Sequence, residues 1–284
     1  MVFGGIEAGG TKIVCAVGNR SGEITSKKVI PTSAPEETLM EVKAFFSHFD
    51  LEALGVGSFG PVDLNKESDT YGTILNTPKT DWKNFDLLGR LKGDYQIPVY
   101  IDTDVNAACL GEYRYGAGKC VNSCLYITVG TGIGAGLVQD GYTFQGKIHP
   151  EMGHVMVPRH SDDSFAGCCP YHGNCLEGMA SGPAIEKRHG NKGYLLSHDA
   201  AVWEIEAHYL AHAIVNYTLI LSPERIILGG GVMKQEILYS LVREKVSKLL
   251  NSYVDVGNLN DFISAPALDD EQGVKGAITL AADR

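Results

Sequence analysis

Apolar positions fall into short solid runs separated by polar, glycine-rich breaks, and this rhythm predicts alternating strands and helices. The opening, MVFGGIEAGGTKIVCAVGNRSGEI, holds an apolar run, a glycine turn, a β-rich run from Ile13 to Val17 and a second turn from Asn19 to Gly22. That order predicts a β-hairpin extending toward a third strand. It recurs in LYITVGTGIGAGLVQDGYTF, residues 125–144, as strand, glycine-threonine turn, strand and Asp-Gly turn. Two copies of one supersecondary unit predict two lobes of related design.

Between the copies, PEETLMEVKAFFSHF carries Leu39, Val42, Phe45 and Phe46 at helical spacing and leads into the strand-like LEALGVGSFGPV. The run IPVYIDTDVNAACLGEYRYG predicts a buried strand ending at Asp102 and a helix from about Val105. Residues 199–221 form a long helical pattern, RIILGGGVMKQEILYSLVREKVSKLL reads strand, glycine turn, helix, and the segment from Asp261 repeats strand then helix. The expected class is therefore α/β, with largely parallel central pairing and hairpin extensions. No low-complexity linker separates the halves, so two lobes packed around a cleft are expected. An amino-terminal lobe of residues 1–112 would be joined by the carboxy-terminal helix 271–284, leaving 113–270 as the second lobe.

Composition changes this picture mainly by exclusion. The 284 residues are 44% hydrophobic, enough for a substantial core near the size at which cores divide. No apolar run approaches the ~20 residues of a membrane span, and the start lacks the pattern of a signal peptide, so a cytoplasmic protein is expected. A formal charge of −10 argues against nucleic acid and anionic membrane surfaces as partners. Seven cysteines at irregular spacing in a reducing compartment argue against a disulfide framework and leave metal binding or burial. Cys15, Cys109 and Cys124 lie in apolar runs, where burial is the expected role.

Three glycine-rich turns follow strands: GIEAGGTK, VGTGIGAG and LGGGV. Glycine lets backbone N–H groups approach an anion without an intervening Cβ, and threonine adds a hydroxyl donor, so phosphate is the natural guest. One such turn reads as a plain hairpin turn; three, two of them with threonine, point to a nucleotide. Gly130, Gly132 and Ala135 match the dinucleotide fingerprint, but that motif needs a helix next, and a strand and turn follow instead. GYTFQGK resembles a Walker A loop, yet Ile148 stands where serine or threonine should hold magnesium.

In combination these turns resemble the two phosphate loops and the adenosine loop of the sugar-kinase, heat-shock-protein and actin ATPase superfold. With HPEMGH (149–154) and GCCPYHGNCLEG (167–178), the chain is similar over nearly its whole length to the ROK sugar kinases, and within them to the bacterial fructokinase branch. The resemblance implies a two-lobed actin-like ATPase (ribonuclease H-like) fold with ATP between the lobes and magnesium on its phosphates. It implies nucleotide contacts from Glu7, Gly9, Gly10, Thr11, Lys12, Thr131, Gly132, Gly134, Pro183, Gly229, Gly230, Gly231 and Val232. Glu7 stands where aspartate is common, one methylene longer and still able to reach magnesium directly or through water.

Cys169, His172 and Cys175 are separated by two residues each, and two thiolates with an imidazole suit tetrahedral zinc. Family spacing leaves Cys168 and Cys169 as competitors, and the C-x-x-H spacing favours Cys169. The resemblance supplies His154 as the fourth ligand, which would close the site and make the zinc structural. Without metal, the segment is a loop with buried thiols, a poorer reading of four potential ligands in eight residues. Glu151 and Glu177 flank the cluster, and the resemblance places both in the sugar pocket with Asn76 of ILNTPK. His208 and His212, four apart on a helix with no acidic partner, read as ordinary helix-face histidines.

Phosphoryl transfer to an alcohol needs a base at the hydroxyl, magnesium on the phosphates and little else from the protein. Asp104 lies at the carboxyl end of the VYID strand, where α/β folds place functional groups. Its competing role is helix N-capping, and Asp102 competes for either role. The family pattern, TDVN here, selects Asp104 as base, with the sugar hydroxyl on carbon 6 as acceptor. The resemblance thus implies an ATP-dependent hexose kinase, D-fructose to fructose 6-phosphate, working as a homodimer. A glucokinase or mannokinase of the same family is the alternative, as is a non-catalytic sugar-sensing relative. Repressors of the family carry a helix-turn-helix ahead of the first phosphate loop, which here begins within ten residues.

Overall fold

The structure, a computed structural model, describes residues 1–283 and divides into two compact units. The first comprises Met1–Lys119, Gly136–Pro150 and the segment beginning at Ala267; the second comprises Cys120–Ala135 and Glu151–Pro266.

In the first unit β1 (Phe3–Ala8), β2 (Lys12–Gly18) and β3 (Ile24–Pro31) pair antiparallel in sequence order. Helix α1 (Pro35–Phe46) begins with proline, tolerated in a first turn, and buries the periodic Leu39, Val42 and Phe46. Strand β4 (Ala53–Ser58) then lies parallel to β1. A short ribbon of β5 (Thr73–Ile74) and β6 (Phe85–Asp86) precedes α2 (Leu87–Asp94), β7 (Val99–Thr103) and α3 (Asp104–Tyr115). The sheet order is β3-β2-β1-β4-β7, with β7 parallel to β4. Strand and helix meet between Thr103 and Asp104, one residue past the expected strand end.

The second hairpin is β8 (Ser123–Val129), β9 (Ile133–Gln139) and β10 (Tyr142–Thr143), and the chain passes between units within β9. The second unit continues with α4 (Leu176–Ala180), α5 (Gly182–His189), α6 (Ala200–Leu221, capped by Asp199) and β11 (Arg225–Gly229). Helices α7 (Ile237–Leu250) and α8 (Leu259–Phe262) and strand β12 (Ile263–Ser264) follow, and α9 (Gln272–Ala282) ends the chain in the first unit. The second sheet runs β10-β9-β8-β11-β12, with β8, β11 and β12 mutually parallel.

Residues 136–150 gather with the first unit, whereas the sequence pattern put all of 113–270 in the second. The cause is local. A Cβ on Gly136 would lie 2.4 Å from the Val105 carbonyl oxygen, so β9 runs directly over the first turn of α3. Thr143 on β10 donates to Asp102 at 2.7 Å. The C-terminal segment is held by Glu112, whose buried carboxylate accepts from the Ala117 and Ala267 N–H groups. Val274, Ile278, Ala281 and Ala282 of α9 bury against Phe3, Val14, Ala16 and Ala53. Each larger aliphatic side chain so buried contributes about 1.5–3 kcal/mol. Gly276 allows the approach of α9 to α3, since a Cβ there would lie 1.6 Å from the Ala107 carbonyl oxygen. Cys15, Cys109 and Cys124 are buried thiols, as their apolar surroundings predict. Among the described residues, no helix is long and apolar enough to cross a membrane.

Candidate active site and metal centre

At the end of β7, the two competing aspartates separate by their hydrogen bonds. Asp102 is buried, with Oδ1 accepting from the Thr103 N–H at 2.8 Å and Asn106 Nδ2 at 2.7 Å, while Oδ2 accepts from Thr143 Oγ1. It is a brace between β7, α3 and β10. The N-cap of α3 is Thr103, whose hydroxyl accepts from the Asn106 N–H at 3.1 Å. Asp104 is the first residue of the helix and half-buried; its Oδ1 accepts from the Val105 N–H at 2.9 Å. Thr103 thus takes the cap that the sequence left open for either aspartate, and Asp102 takes a bracing role that the sequence did not suggest.

The first glycine turn closes between β1 and β2, with the Gly9 N–H donating to the Lys12 carbonyl at 3.0 Å and Thr32 Oγ1 donating to the Gly9 carbonyl at 2.8 Å. Thr11 and Lys12 are exposed, with Gly9 and Gly10 half-buried beside them. Glu7, at the end of β1, turns toward the start of α9. Burial raises its carboxyl above the usual carboxylate range, with Lys12 opposing and Asp270 adding to the shift, and the Val274 N–H favours the ionised form. Its Oε2 is buried without a hydrogen-bond partner. Asn76 sits exposed in the loop after β5.

In the second unit the turn of Thr131, Gly132 and Gly134 joins β8 to β9. The Gly130 N–H donates to the Gly132 carbonyl at 2.9 Å, and the Gly182 N–H donates to the Gly130 carbonyl at 2.7 Å, which brings Pro183 and the head of α5 against this turn. Gly229, Gly230, Gly231 and Val232 follow β11. Gly230 has φ of 91°, and a Cβ there would lie 2.4 Å from the Val129 carbonyl oxygen, so this turn too packs on the β8–β9 turn. The parallel pairing of the neighbouring strands β8 and β11 sets both turns at the same end of the sheet.

The metal candidates come together. One ligand atom each from His154, Cys169, His172 and Cys175 lies within 4.8 Å of the others. His154 Nδ1 is 3.4 Å from Cys175 Sγ and 3.7 Å from Cys169 Sγ, and Cys169 Sγ is 3.8 Å from His172 Nδ1. Ligands held at ~2.3 Å (sulfur) and ~2.0 Å (nitrogen) on a tetrahedral ion stand about 3.5 Å apart, so the donor set and its spacing fit zinc. Without metal, burial pushes the Cys175 thiol up to about 11, with Cys169 and Glu177 adding, so a metal must displace that proton. Cys168 is turned out of the cluster, and its N–H donates to the Gly178 carbonyl at 3.0 Å.

Cys175 immediately precedes α4, and Glu177 lies in that helix's first turn. Glu151 precedes the short helical turn Met152–His154, which carries another ligand. Packing around the Glu151 carboxyl raises its pKa; His154 opposes this and Glu177 adds to it. Glu177 is therefore two positions, and Glu151 three positions, along the chain from a candidate ligand.

Sequence reasoning missed the packing behind this loop. Arg188 and Asp163 form an ion pair at 3.0 Å, with side chains 6% and 2% exposed. Arg188 Nη2 also donates to the Met179 carbonyl of α4 at 2.6 Å, and Tyr209 donates to Asp163 at 2.6 Å. Glu206 on α6 is fully buried, both oxygens lack partners, and burial pushes its carboxyl well above the usual range, opposed by Arg188. An acid inside a long apolar helix was the available signal. His208 and His212 meet edge-on at 4.4 Å between ring centroids, with His160 edge-on at 4.9 Å from His208, and they stand apart from the metal candidates.

The model of the ROK family matches residues 3–284. A protein of Bacillus subtilis (strain 168) is 52% identical over 284 residues, covering 99% of this chain and 95% of its own. A fructokinase of Pediococcus pentosaceus is 44% identical over 281 residues, covering 99% and 98%. Among solved structures, a ROK family glucokinase from Streptomyces griseus in complex with glucose and AMPPNP matches with a TM-score of 0.79 and 26% identity, over 99% of both chains.

Proposed function

The chain belongs to the ROK family, and from that premise we propose that this ATP-dependent hexose kinase acts on D-fructose, transferring the γ-phosphoryl group to the hydroxyl on carbon 6. Its fold is the actin-like ATPase fold. The observation that carries the choice of fructose is the full-length similarity to a fructokinase, against a more distant likeness to a glucokinase.

In this reading Asp104 takes the proton of the carbon-6 hydroxyl as that oxygen bonds to the γ-phosphorus and the bond from phosphorus to the ADP oxygen breaks. Thr103 takes the cap and Asp102 the brace, and Asp104 stands half-buried at the start of α3, at the end of β7. Magnesium bound with ATP supplies positive charge at the β- and γ-phosphate oxygens. The buried, unpartnered Oε2 of Glu7 fits a cation there, held directly or through water. Backbone N–H groups of Gly9, Gly10 and Thr11, the Lys12 ammonium, and the turn of Thr131, Gly132 and Gly134 hold phosphate. Pro183 and the turn from Gly229 to Val232 hold the adenosine. Asn76, Glu151 and Glu177 accept or donate hydrogen bonds to the sugar hydroxyls. Zinc on His154, Cys169, His172 and Cys175 is structural, since four protein ligands leave no open position.

We place the protein in the cytoplasm as a homodimer; seven free thiols suit a reducing compartment. The test of substrate choice is ADP release with ATP and a panel of fructose, glucose and mannose. The highest kcat/KM is expected with fructose. A higher value with glucose or mannose would overturn the choice of fructose.

A further inference from the structure

Glu177 has a second attachment besides its tether to the metal ligands. Its Oε2 accepts from the Ile133 N–H at 3.0 Å, at the point where the β8–β9 turn enters β9. A hydrogen bond to an ionised carboxylate is roughly twice as strong as a neutral one. The approach depends on the residue before it, because a Cβ on Gly132 would lie 2.7 Å from Glu177 Oε2. No side chain fits between the carboxylate and the turn.

The connection closes on itself through backbone. The Gly130 N–H donates to the Gly132 carbonyl, the Gly182 N–H donates to the Gly130 carbonyl, and the Ser181 N–H donates to the Glu177 carbonyl at 3.1 Å. The circuit runs from the Glu177 side chain to the phosphate turn, across to the head of α5, and back to the Glu177 backbone. Ser181 caps α5 by accepting from the Ala184 N–H at 3.3 Å, which fixes the return leg. A rotation of the Glu177 carboxylate therefore changes the orientation of the Ile133 N–H, and a shift of the turn moves the carboxylate.

We infer that Glu177 couples the two substrates: sugar hydroxyls bound to its carboxylate order the β8–β9 turn for phosphate, and phosphate in that turn presents the carboxylate to the sugar. This rests on the reading that Glu177 contacts the sugar. A carboxylate offers about four acceptor sites. The Ile133 N–H occupies one on Oε2, so Oε1 remains open to hydroxyl donors while the link to the turn persists. Coupling of this kind is reciprocal: each ligand must tighten the other by the same factor.

The test is the fructose Kd by calorimetry, with and without saturating AMPPNP and magnesium, and the AMPPNP Kd with and without fructose. In wild-type protein each ligand tightens the other by about fivefold or more, by equal factors. Gly132→Ala pushes the carboxylate off the turn. It raises the fructose Kd several-fold even without nucleotide, although residue 132 lies in the phosphate turn, and the coupling factor falls toward one. Glu177→Gln keeps an acceptor for Ile133 and retains part of the coupling, whereas Glu177→Ala loses it all. The inference is overturned if AMPPNP leaves the wild-type fructose Kd within twofold, or if Gly132→Ala weakens AMPPNP while nucleotide-free fructose binding is unchanged. An unchanged fructose Kd in Glu177→Ala would instead overturn the assignment of Glu177 to the sugar pocket.

Discussion

Of three adjacent residues, Asp102 braces β7 to α3 and β10, Thr103 caps α3, and Asp104, the proposed base, opens the helix. In sequence either aspartate could cap or act as base, because aspartate does both well. The structure gives Asp102 three donors and gives the cap to Thr103. Glu206 presents the opposite case, a buried carboxyl with no hydrogen-bond partner among the described residues. Its folded pKa is raised, so the folded state holds its proton more tightly than the unfolded state does. Stability is therefore unaffected below the ordinary carboxylate pKa and falls as pH rises from there toward the folded value. Each pKa unit is worth about 1.4 kcal/mol. Glu206→Gln removes that loss, and its Tm should exceed that of wild type by about 2 °C or more at pH 8, with the gap closing as pH falls toward 5. Thermal melts across that range check it. A variant less stable than wild type at pH 8 would show instead that Glu206 is ionised and paired with Arg188.

At the scale of elements, the metal loop and α4 form one device. Cys175, a ligand in the proposed zinc site, immediately precedes α4, and Arg188 donates to the Met179 carbonyl near its end, with Glu177 between them. Purified protein should contain about one zinc per chain. Cys169→Ser and Cys175→Ser should lose it and raise the fructose KM by about tenfold or more, with a smaller rise in the ATP KM, because the carboxylates are mispositioned rather than removed. Cys168→Ser should keep the metal. Metal analysis that finds none in wild type purified without chelator, or full retention in Cys175→Ser, contradicts this account of the loop. The grouping of Cys169, His172 and Cys175 was legible because C-x-x-H-x-x-C is a local spacing, while His154 came only through the family resemblance. The Asp163–Arg188 brace was not, because its members are 25 residues apart and neither sits in a motif.

For the whole molecule, the alternation of runs and glycine turns was enough to give the α/β class, the two hairpins and the parallel pairing at their centres, since each depends on neighbours in sequence. Assignment of residues 136–150 to the first unit was not legible. It depends on Gly136 passing over Val105 and on Thr143 reaching Asp102, contacts between segments about 30–40 residues apart that leave no periodic trace. The same limit applies to the candidate site: the glycine turns were visible in the sequence, but the link from Glu177 to Ile133 appears only in three dimensions. The account joins these parts through one chemical step, proton removal by Asp104. Steady-state turnover of purified Asp104→Asn, with the fructose Kd measured on the same preparation, tests that step most directly. The account predicts a fall in kcat of about a hundredfold or more with fructose binding retained, the scale of general base catalysis. Near-normal turnover in the folded variant would contradict it.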